Sequence, residues 1–212
     1  GSTLLEMGTL RVGFLVTNRI IATLGTNIFA ATRIVSQVSG LSFTLGDGVA
    51  AAGVALVGQA LGAKDERRAR EAVSVTRRIS FVASLMLVAA LLPFRHELAN
   101  LFTQDETVIQ AASAGFLVMI PAIVPQNARV VYAGCLRGAG DTRYVAMVSL
   151  ISVGILRPLL TWLFCFPLNP LLPALYLTAT GSWWAFMMDA LVRSTMLRWR
   201  VRGGKWTSVQ LH

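Results

Sequence analysis

The chain has 212 residues, of which 55% are hydrophobic and only 14% are charged. Water-soluble domains carry about 25% charged residues, so most of this surface is expected to face lipid, as the mean hydropathy of +0.63 also indicates. These values exclude a water-soluble enzyme. The formal net charge of +9 would suggest nucleic-acid binding in a soluble protein. Here the basic residues lie between apolar stretches, and a membrane topology explains them better.

Six apolar stretches are candidates for crossing the hydrocarbon core, which requires about 20 helical residues. In chain order they cover residues 7–24, 28–58, 79–94, 108–135, 144–166 and 171–197. Short turns at Gly25-Thr26-Asn27 and Pro167-Leu168-Asn169-Pro170 join the first pair and the last pair, and such turns predict tight helical hairpins. The sequence therefore predicts an all-α membrane protein with six transmembrane helices, whose two ends lie on one side.

The distribution of basic residues predicts which side that is. Of the 19 Lys and Arg residues, 13 fall at 64–78, 137–143 and 193–205, whereas the loop at 95–106 holds one. Cytoplasmic loops carry an excess of Lys and Arg. Both ends of this multi-pass chain are therefore expected on the cytoplasmic side of an inner or plasma membrane. The marker positions of this topology are Glu66 and Trp206 inside, and Glu97 and Asn169 outside.

Short motifs along the chain occur in an order that resembles the second half of the multidrug and toxic compound extrusion (MATE) family of transporters. They are Leu24-Gly25-Thr26, Gly46-Asp47-Gly48, the run from 56 to 63, Leu101-Phe102-Thr103-Gln104-Asp105, the run from 134 to 143, and Gly204-Lys205-Trp206. The resemblance extends over nearly the whole chain, because the motifs are spread along it from Leu24 to Trp206. The resemblance implies one six-helix lobe, residues 1–212, of a twelve-helix antiporter.

Such an antiporter exports cationic or amphipathic compounds in exchange for Na⁺ or H⁺. The resemblance implies the missing N-terminal six-helix lobe, the bilayer and the exported compound as partners, with no nucleic acid. The chain opens almost directly inside an apolar stretch and shows no signal peptide, so it is expected to be a fragment. Alternating access requires one lobe to rock against the other, and transport by these residues alone is therefore not expected.

Two carboxylates are candidates for binding the coupling ion, since ionisable groups inside the hydrocarbon core are costly and point to function. Glu6 lies nineteen residues before Gly25, a spacing that resembles the acidic position on the seventh helix of many family members. The alternative is a carboxylate held at a helix N-terminus by the dipole and by water. Asp47 lies between Gly46 and Gly48, where it either coordinates an ion or binds exposed backbone through water.

A polar cavity is the second predicted site. Gln37 lies ten residues before Asp47, close to three helical turns, and is expected to share a face with it. Gln126 and Asn127 form a polar pair in the fourth stretch and require partners or a wet cavity. All four side chains are expected to point toward the interior of the protein.

Prolines inside two of the stretches predict kinks. Pro121 and Pro125 precede the polar pair of the fourth stretch, and a hinge is expected there because proline removes a backbone donor. In the fifth stretch Arg157 precedes Pro158. Arg157 is a candidate cavity residue, and its expected partner is either Asp47 or a residue of the missing lobe.

Other polar and small residues are expected to be structural. Asp189 lies four residues before Arg193, which predicts a local ion pair near the cytoplasmic end of the sixth stretch, contributing under about 1 kcal/mol. The glycines favour close helix packing over a ligand site, with a turn permitted at the last of them. They are Gly46, Gly48, Gly58, Gly62, Gly134, Gly138 and Gly140.

No enzyme is expected, because hydrolase and zinc-protease motifs are absent and two histidines are too few for a metal site. No cofactor other than the coupling ion is expected. One alternative is a lipid-linked oligosaccharide flippase of related architecture, whose cavity would be more cationic. Its candidate cationic residues are Arg19, Arg33, Arg129 and Arg157. The other alternative is a structural membrane subunit without transport, which predicts paired charges and no polar cavity.

Overall fold

A computed structural model describes Leu15, Asn18, Arg19, residues 26–165, residues 180–204 and Trp206. Most of the first predicted span and the turn at 167–170 lie outside the described residues. Within the described part the chain is helical and contains no strand, which confirms the all-α fold class. Its helices are α1 (Thr26–Gly62), α2 (Glu66–Leu91), α3 (Arg95–Asn100), α4 (Glu106–Met119), α5 (Ile123–Gly138), α6 (Thr142–Ile151), α7 (Arg157–Cys165) and α8 (Gly181–Arg202).

Several of these helices have the length and apolar character of membrane spans. Helices α1 and α2 are long and apolar enough to cross a membrane, and so is the continuous segment Thr142–Cys165. In that segment one π-helical turn, Ser152–Leu156, joins α6 to α7. Helices α4 and α5 form a broken span with a bend of 50°. Helix α8 is long enough but more polar, since charged residues run from Asp189 to Arg202. These helices lie in the second to sixth predicted stretches, but they begin and end at residues that differ from the predicted boundaries.

The two breaks in the spans lie at prolines, as predicted. Helix α4 ends at Met119 and α5 begins at Ile123, so the bend contains Pro121. The π turn immediately precedes Arg157 and Pro158. Proline cannot donate a backbone hydrogen bond and its ring collides with the preceding turn, and a widened π turn relieves that collision.

The first two described spans, α1 and α2, are followed by the short helix α3 beyond the far end of α2. Glu66 begins α2, and Trp206 packs with Ala69 and Val73 of its first turns, so Glu66 and Trp206 share one end. Glu97 lies in α3, beyond the other end of α2. This relative placement agrees with the predicted topology. Asn169 lies outside the described residues, and the assignment of one end to the cytoplasm stays a prediction.

The closest helix contact in the core is between α1 and α5, and glycine makes it possible. A Cβ atom on Gly134 would lie 2.8 Å from the carbonyl oxygen of Ala50, and one on Gly138 would lie 2.5 Å from that of Val54. Side chains at these positions would force the helices apart. The predicted packing role is confirmed for both glycines, as it is for Gly46, which faces the side chain of Asn127 on α5.

The packing prediction is wrong for two other glycines of α1. No atom lies within 4 Å of the position that a Cβ would take on Gly48 or Gly62. Both residues are exposed because they lie away from the face that contacts α5. Gly140 has a positive φ of 82°, which supports its predicted role in the turn between α5 and α6, since glycine adopts this conformation readily.

Candidate functional site

A cavity of about 480 Å³ lies inside the lobe, between α1, α5, α8 and the helix formed by α6 and α7. The outward faces of the surrounding helices are apolar, with Leu41, Leu85 and Leu159 more than half exposed. The cavity wall is instead polar, charged and aromatic. Its lining includes Ser36, Gln126, Arg129, Arg157, Ser182, Trp183, Phe186 and Arg193.

A buried ion pair lies beside the cavity. The guanidinium of Arg193 donates from Nη2 to Oδ2 of Asp189, and the hydroxyl of Ser152 donates to Oδ1 of the same carboxylate. The Asp189 side chain is fully buried and that of Arg193 is 6% exposed. Because Ser152 opens the π turn, the carboxylate connects α8 to the irregular turn of the neighbouring span.

The predicted pairing of Asp189 with Arg193 is confirmed, but its predicted position near a helix end is wrong. Helix α8 continues to Arg202, and the thirteen residues from Asp189 to that end span about 20 Å. Losing one partner of a buried pair destabilises the protein more than losing one partner of an exposed pair, because it leaves an uncompensated charge in the interior. The sequence did contain a signal for this position. No Gly or Pro that would end the helix occurs between Asp189 and Gly203, so this stretch favours a helix that continues well beyond the pair.

Two further arginines surround the pair. The Cζ atom of Arg157 lies 4.6 Å from the ring centroid of Phe186, a cation–π geometry. Nε of Arg129 donates to Oε1 of Gln126 at 3.2 Å. Asp189 attracts both guanidinium groups electrostatically. Among the described lining residues there are four arginines, counting Arg137, and no carboxylate, so this cavity is cationic.

Several buried polar atoms of the wall have no hydrogen-bond partner among the described residues. They are Oγ of Ser182, Nε1 of Trp183 and Nε of Arg193. Buried polar groups are nearly always satisfied in folded proteins. Three buried donors without a described partner therefore lie in the wall of one cavity. Sequence reasoning missed Ser182 and Trp183 because neither carries a charge or a motif.

The predicted cavity residues separate into two groups. Gln126 and Arg157 line the cavity, and their predicted role in binding a substrate stays a prediction. Asn127 is buried as predicted but lies outside the cavity, where its Nδ2 donates to Oγ of Ser84 at 2.9 Å and ties α5 to α2. The reason is the helix period, because consecutive residues such as Gln126 and Asn127 point about 100° apart.

Gln37 and Asp47 are exposed on α1 and do not line the cavity of this lobe, so whether they face the interior of the whole protein stays a prediction. The buried face of α1 instead contains small residues such as Ala31, Ser39 and Ala50. No described residue forms an ion pair with Asp47, and the predicted contact between Asp47 and Arg157 is absent. Glu6 lies outside the described residues. The roles of Glu6 and Asp47 in ion coupling stay predictions.

Comparisons with known proteins agree with the fold. The MatE family model matches residues 3–163. A probable multidrug resistance protein NorM from Pasteurella multocida is 28% identical over 198 residues, which cover 89% of this chain and 40% of the relative. The chain thus spans well under half the length of this curated relative.

Solved structures show the same helix arrangement. A MATE transporter in a straight conformation superposes with a TM-score of 0.85 at 17% identity, covering 99% of this chain and 45% of the other. A MOP superfamily transporter from Pyrococcus furiosus, described as having a binding pocket of reverse polarity, superposes with a TM-score of 0.81 at 17% identity, covering 93% and 42%. At these identities the structures establish the fold alone. The match of the MatE family model over residues 3–163, well over half of the chain, shows that the chain belongs to the MATE family of membrane transporters.

Proposed function

We propose that the chain is the second lobe of a secondary active antiporter that exports small cationic or amphipathic compounds in exchange for Na⁺ or H⁺. The observation that carries this proposal is the charged and aromatic cavity inside an otherwise apolar lobe. Polar and ionisable groups are retained in a membrane at a considerable energetic cost. The N-terminal lobe that the relatives possess would close the other side of the cavity.

The aromatic wall suits an amphipathic compound. The rings of Phe43 and Phe186 stack with centroids 5.8 Å apart, and Trp183 lies beside them in the lining. These rings would bury the apolar part of a substrate, while Gln126 and Ser36 would bind its polar part. Such a combination of apolar wall and a few polar groups is typical of small-molecule sites.

Coupling requires a group that binds the ion differently in the two states of the transporter, because a ligand shifts an equilibrium only by its differential affinity. Glu6 and Asp47 remain our candidates for that group. Exposure of Asp47 on the lobe surface supports a position from which it would meet the N-terminal lobe. There its surroundings would change as the two lobes rock against each other.

A second candidate function, a lipid-linked oligosaccharide flippase, is favoured by the arginines. Arg129, Arg157 and Arg193 line the cavity with no described carboxylate in the lining, and guanidinium groups bind phosphate oxygens in a bidentate manner. The reverse polarity described for the Pyrococcus furiosus pocket is a further argument for a different cargo. A pyrophosphate would satisfy these guanidinium groups directly, and this is the observation that favours the second function.

The experiment is transport by the full-length parent in proteoliposomes. We expect uptake of a cationic dye when a Na⁺ or H⁺ gradient is imposed, and its loss when an ionophore collapses the gradient. Phe186→Ala should reduce this transport at least about fivefold through loss of stacking. Leu159→Ala, at an exposed position of α7, is the matched control and should leave transport unchanged.

Other results would favour the alternatives. Gradient-independent flipping of a fluorescent lipid-linked oligosaccharide, abolished by Arg157→Gln and without dye transport, would establish the flippase. Absence of both activities in a well-folded parent would support the structural subunit.

A further inference from the structure

A second cavity lies on the outer surface of the lobe, between α2 and α8 and apart from the site described above. It consists of two adjoining hollows of about 480 and 330 Å³, which share Arg77, Tyr132 and Arg198. Arg77 lies on α2 and Arg198 on α8, while the buried Tyr132 of α5 lies between the two helices. We call this feature the outer groove.

The outer groove is strongly basic. Arg77, Arg78, Arg198 and Arg202 line it, and no described carboxylate does. Among the described residues none of these four guanidinium groups forms an ion pair. A fifth lining arginine, Arg70, is 3.5 Å from a carboxylate oxygen of Glu66. Four positive charges around one groove therefore lack a counter-charge from the described part of the chain.

The charges occupy one half of the outer groove and apolar side chains the other. Phe81 is 54% exposed and lies one turn beyond Arg77 on α2. Leu191 is 39% exposed and lies seven residues before Arg198 on α8, a distance of about 10 Å along the helix. Because these two helices run in opposite directions, both arginines lie toward the end that holds Trp206. Both apolar residues lie toward the middle of the lobe.

One buried polar atom of the outer groove has no partner. Oγ of Ser80 lines the groove, the residue is 3% exposed, and no described group forms a hydrogen bond with this hydroxyl. The neighbouring hydroxyl of Thr195 is already bonded to the carbonyl oxygen of Leu191 in its own helix. The Ser80 hydroxyl is thus a buried donor at the boundary between the charged and the apolar half.

We propose that the outer groove binds an anionic glycerophospholipid. Its phosphate would accept hydrogen bonds from Arg77, Arg78 and Arg198, its ester region would lie at Ser80, and an acyl chain would pass along Phe81. Basic pockets between transmembrane helices are suited to such headgroups, and arginine matches phosphate geometry. A free inorganic anion would satisfy the charges alone, whereas a phospholipid also covers the apolar half.

The test uses the full-length parent in nanodiscs or detergent and measures retained lipid by native mass spectrometry. Tetra-acyl cardiolipin and phosphatidylglycerol are the anionic probes, phosphatidylcholine is the zwitterionic probe, and inorganic phosphate is added as a competitor. We expect the anionic lipids to bind at least tenfold more tightly than phosphatidylcholine, with no displacement by millimolar phosphate. The triple variant Arg77→Gln, Arg78→Gln, Arg198→Gln should lose this preference.

A control variant removes the same charge elsewhere. Arg67→Gln, Arg68→Gln, Arg143→Gln changes three exposed arginines outside the outer groove and should retain the preference. Equal loss in both triple variants would overturn the proposal in favour of non-specific attraction, and displacement by phosphate would show a free-anion site instead. Should the triple variant fold poorly, Arg198→Gln alone, at an exposed position, must still weaken cardiolipin binding measurably or the proposal is wrong.

Discussion

At the scale of single residues, Asp189 carries the largest structural consequence in the described lobe. It accepts hydrogen bonds from Arg193 on its own helix and from Ser152 on the adjacent span. Its negative charge is also the one that partly balances Arg129 and Arg157. Removing this charge would leave several guanidinium groups facing one another in a membrane interior.

We therefore expect Asp189→Asn to destabilise the full-length protein by about 3 kcal/mol, the order found when one partner of a buried pair is lost. Thermal unfolding in detergent measures this change. Glu71→Gln is the matched control, because Glu71 pairs with Arg67 at 3.1 Å on an exposed surface, where a pair contributes about 0.5 kcal/mol or less. Equal melting temperatures for the two variants would contradict the assigned role of Asp189.

A second residue-level prediction concerns coupling. Glu6→Gln in the full-length parent is expected to abolish gradient-driven export without reducing the amount of protein in the membrane, because the amide keeps the size but does not exchange a proton or balance a cation. Asp47→Asn is expected to impair export less, or similarly if both carboxylates share the ion. Dye efflux from cells that express equal amounts of each variant measures these effects. Normal export by the Glu6 variant would show that this residue has no role in coupling.

At the scale of helices, the sequence predicted where each span would break but not how. Pro121 and Pro158 identify the turns that lose a hydrogen bond. The first break became a bend of 50° and the second a π turn within one continuous helical span, because the outcome depends on the neighbouring helices. In the second case Asp189 holds Ser152 in place, a contact that no local pattern encodes.

Which face of a helix is buried was also poorly predictable. The buried positions of α1 carry small residues such as Ser39, Gly46 and Ala50, and exposed positions carry Leu41 and Leu45. In a membrane the large apolar side chains face lipid, and small residues permit contact between helices. Hydrophobic periodicity alone would therefore choose the wrong buried face of α1.

This reversal gives a prediction for a matched pair of glycines. Gly134→Ala should destabilise the lobe by about 1–3 kcal/mol, because its methyl group would lie 2.8 Å from a backbone oxygen of α1 and would separate the helices. Gly48→Ala, with open space around the new atom, should be neutral or stabilising by up to about 1 kcal/mol. Thermal unfolding of both variants of the full-length parent under one condition tests which substitution destabilises more. A smaller destabilisation by Gly134→Ala than by Gly48→Ala would contradict the prediction.

At the scale of the whole molecule, the family could be predicted from the order of short motifs, whereas the cavity could not. Its lining comes from α1, α5, α8 and the π-containing span, and only tertiary packing brings these together. Gln126 and Arg157 were found because polar residues inside a span attract attention. Trp183 was not, because a tryptophan in an apolar stretch is an ordinary core residue.

Topology can be tested on the intact transporter. With a cysteine at position 66 or 97 of a cysteine-free full-length protein, a membrane-impermeant maleimide added to intact cells is expected to label only position 97. These positions lie at opposite ends of the lobe, so the pair gives an internal control, and cell lysis should expose position 66. The reverse pattern would invert the orientation predicted from the basic residues.

The 212 residues alone are expected not to transport. The chain covers 40% of the length of two curated NorM relatives. One lobe supplies only one wall for a cavity that must open alternately to two sides. Dye efflux from proteoliposomes containing this chain should equal that from empty vesicles, whereas co-expression with the remainder of the parent should restore it. Efflux by the chain alone would refute the half-transporter proposal.

The wide turn at Ser152–Leu156 makes the length of this segment matter more than its composition. Its hydrogen bonds close over five residues instead of four, so it accommodates one residue more than a regular helix. Deleting Gly154 would remove the extra residue and allow a regular helix from Thr142 to Cys165, whose two ends would keep nearly the same phase because the π turn had absorbed that residue. A single codon thus decides whether the backbone is wide at the place where the hydroxyl of Ser152 reaches the buried carboxylate of Asp189.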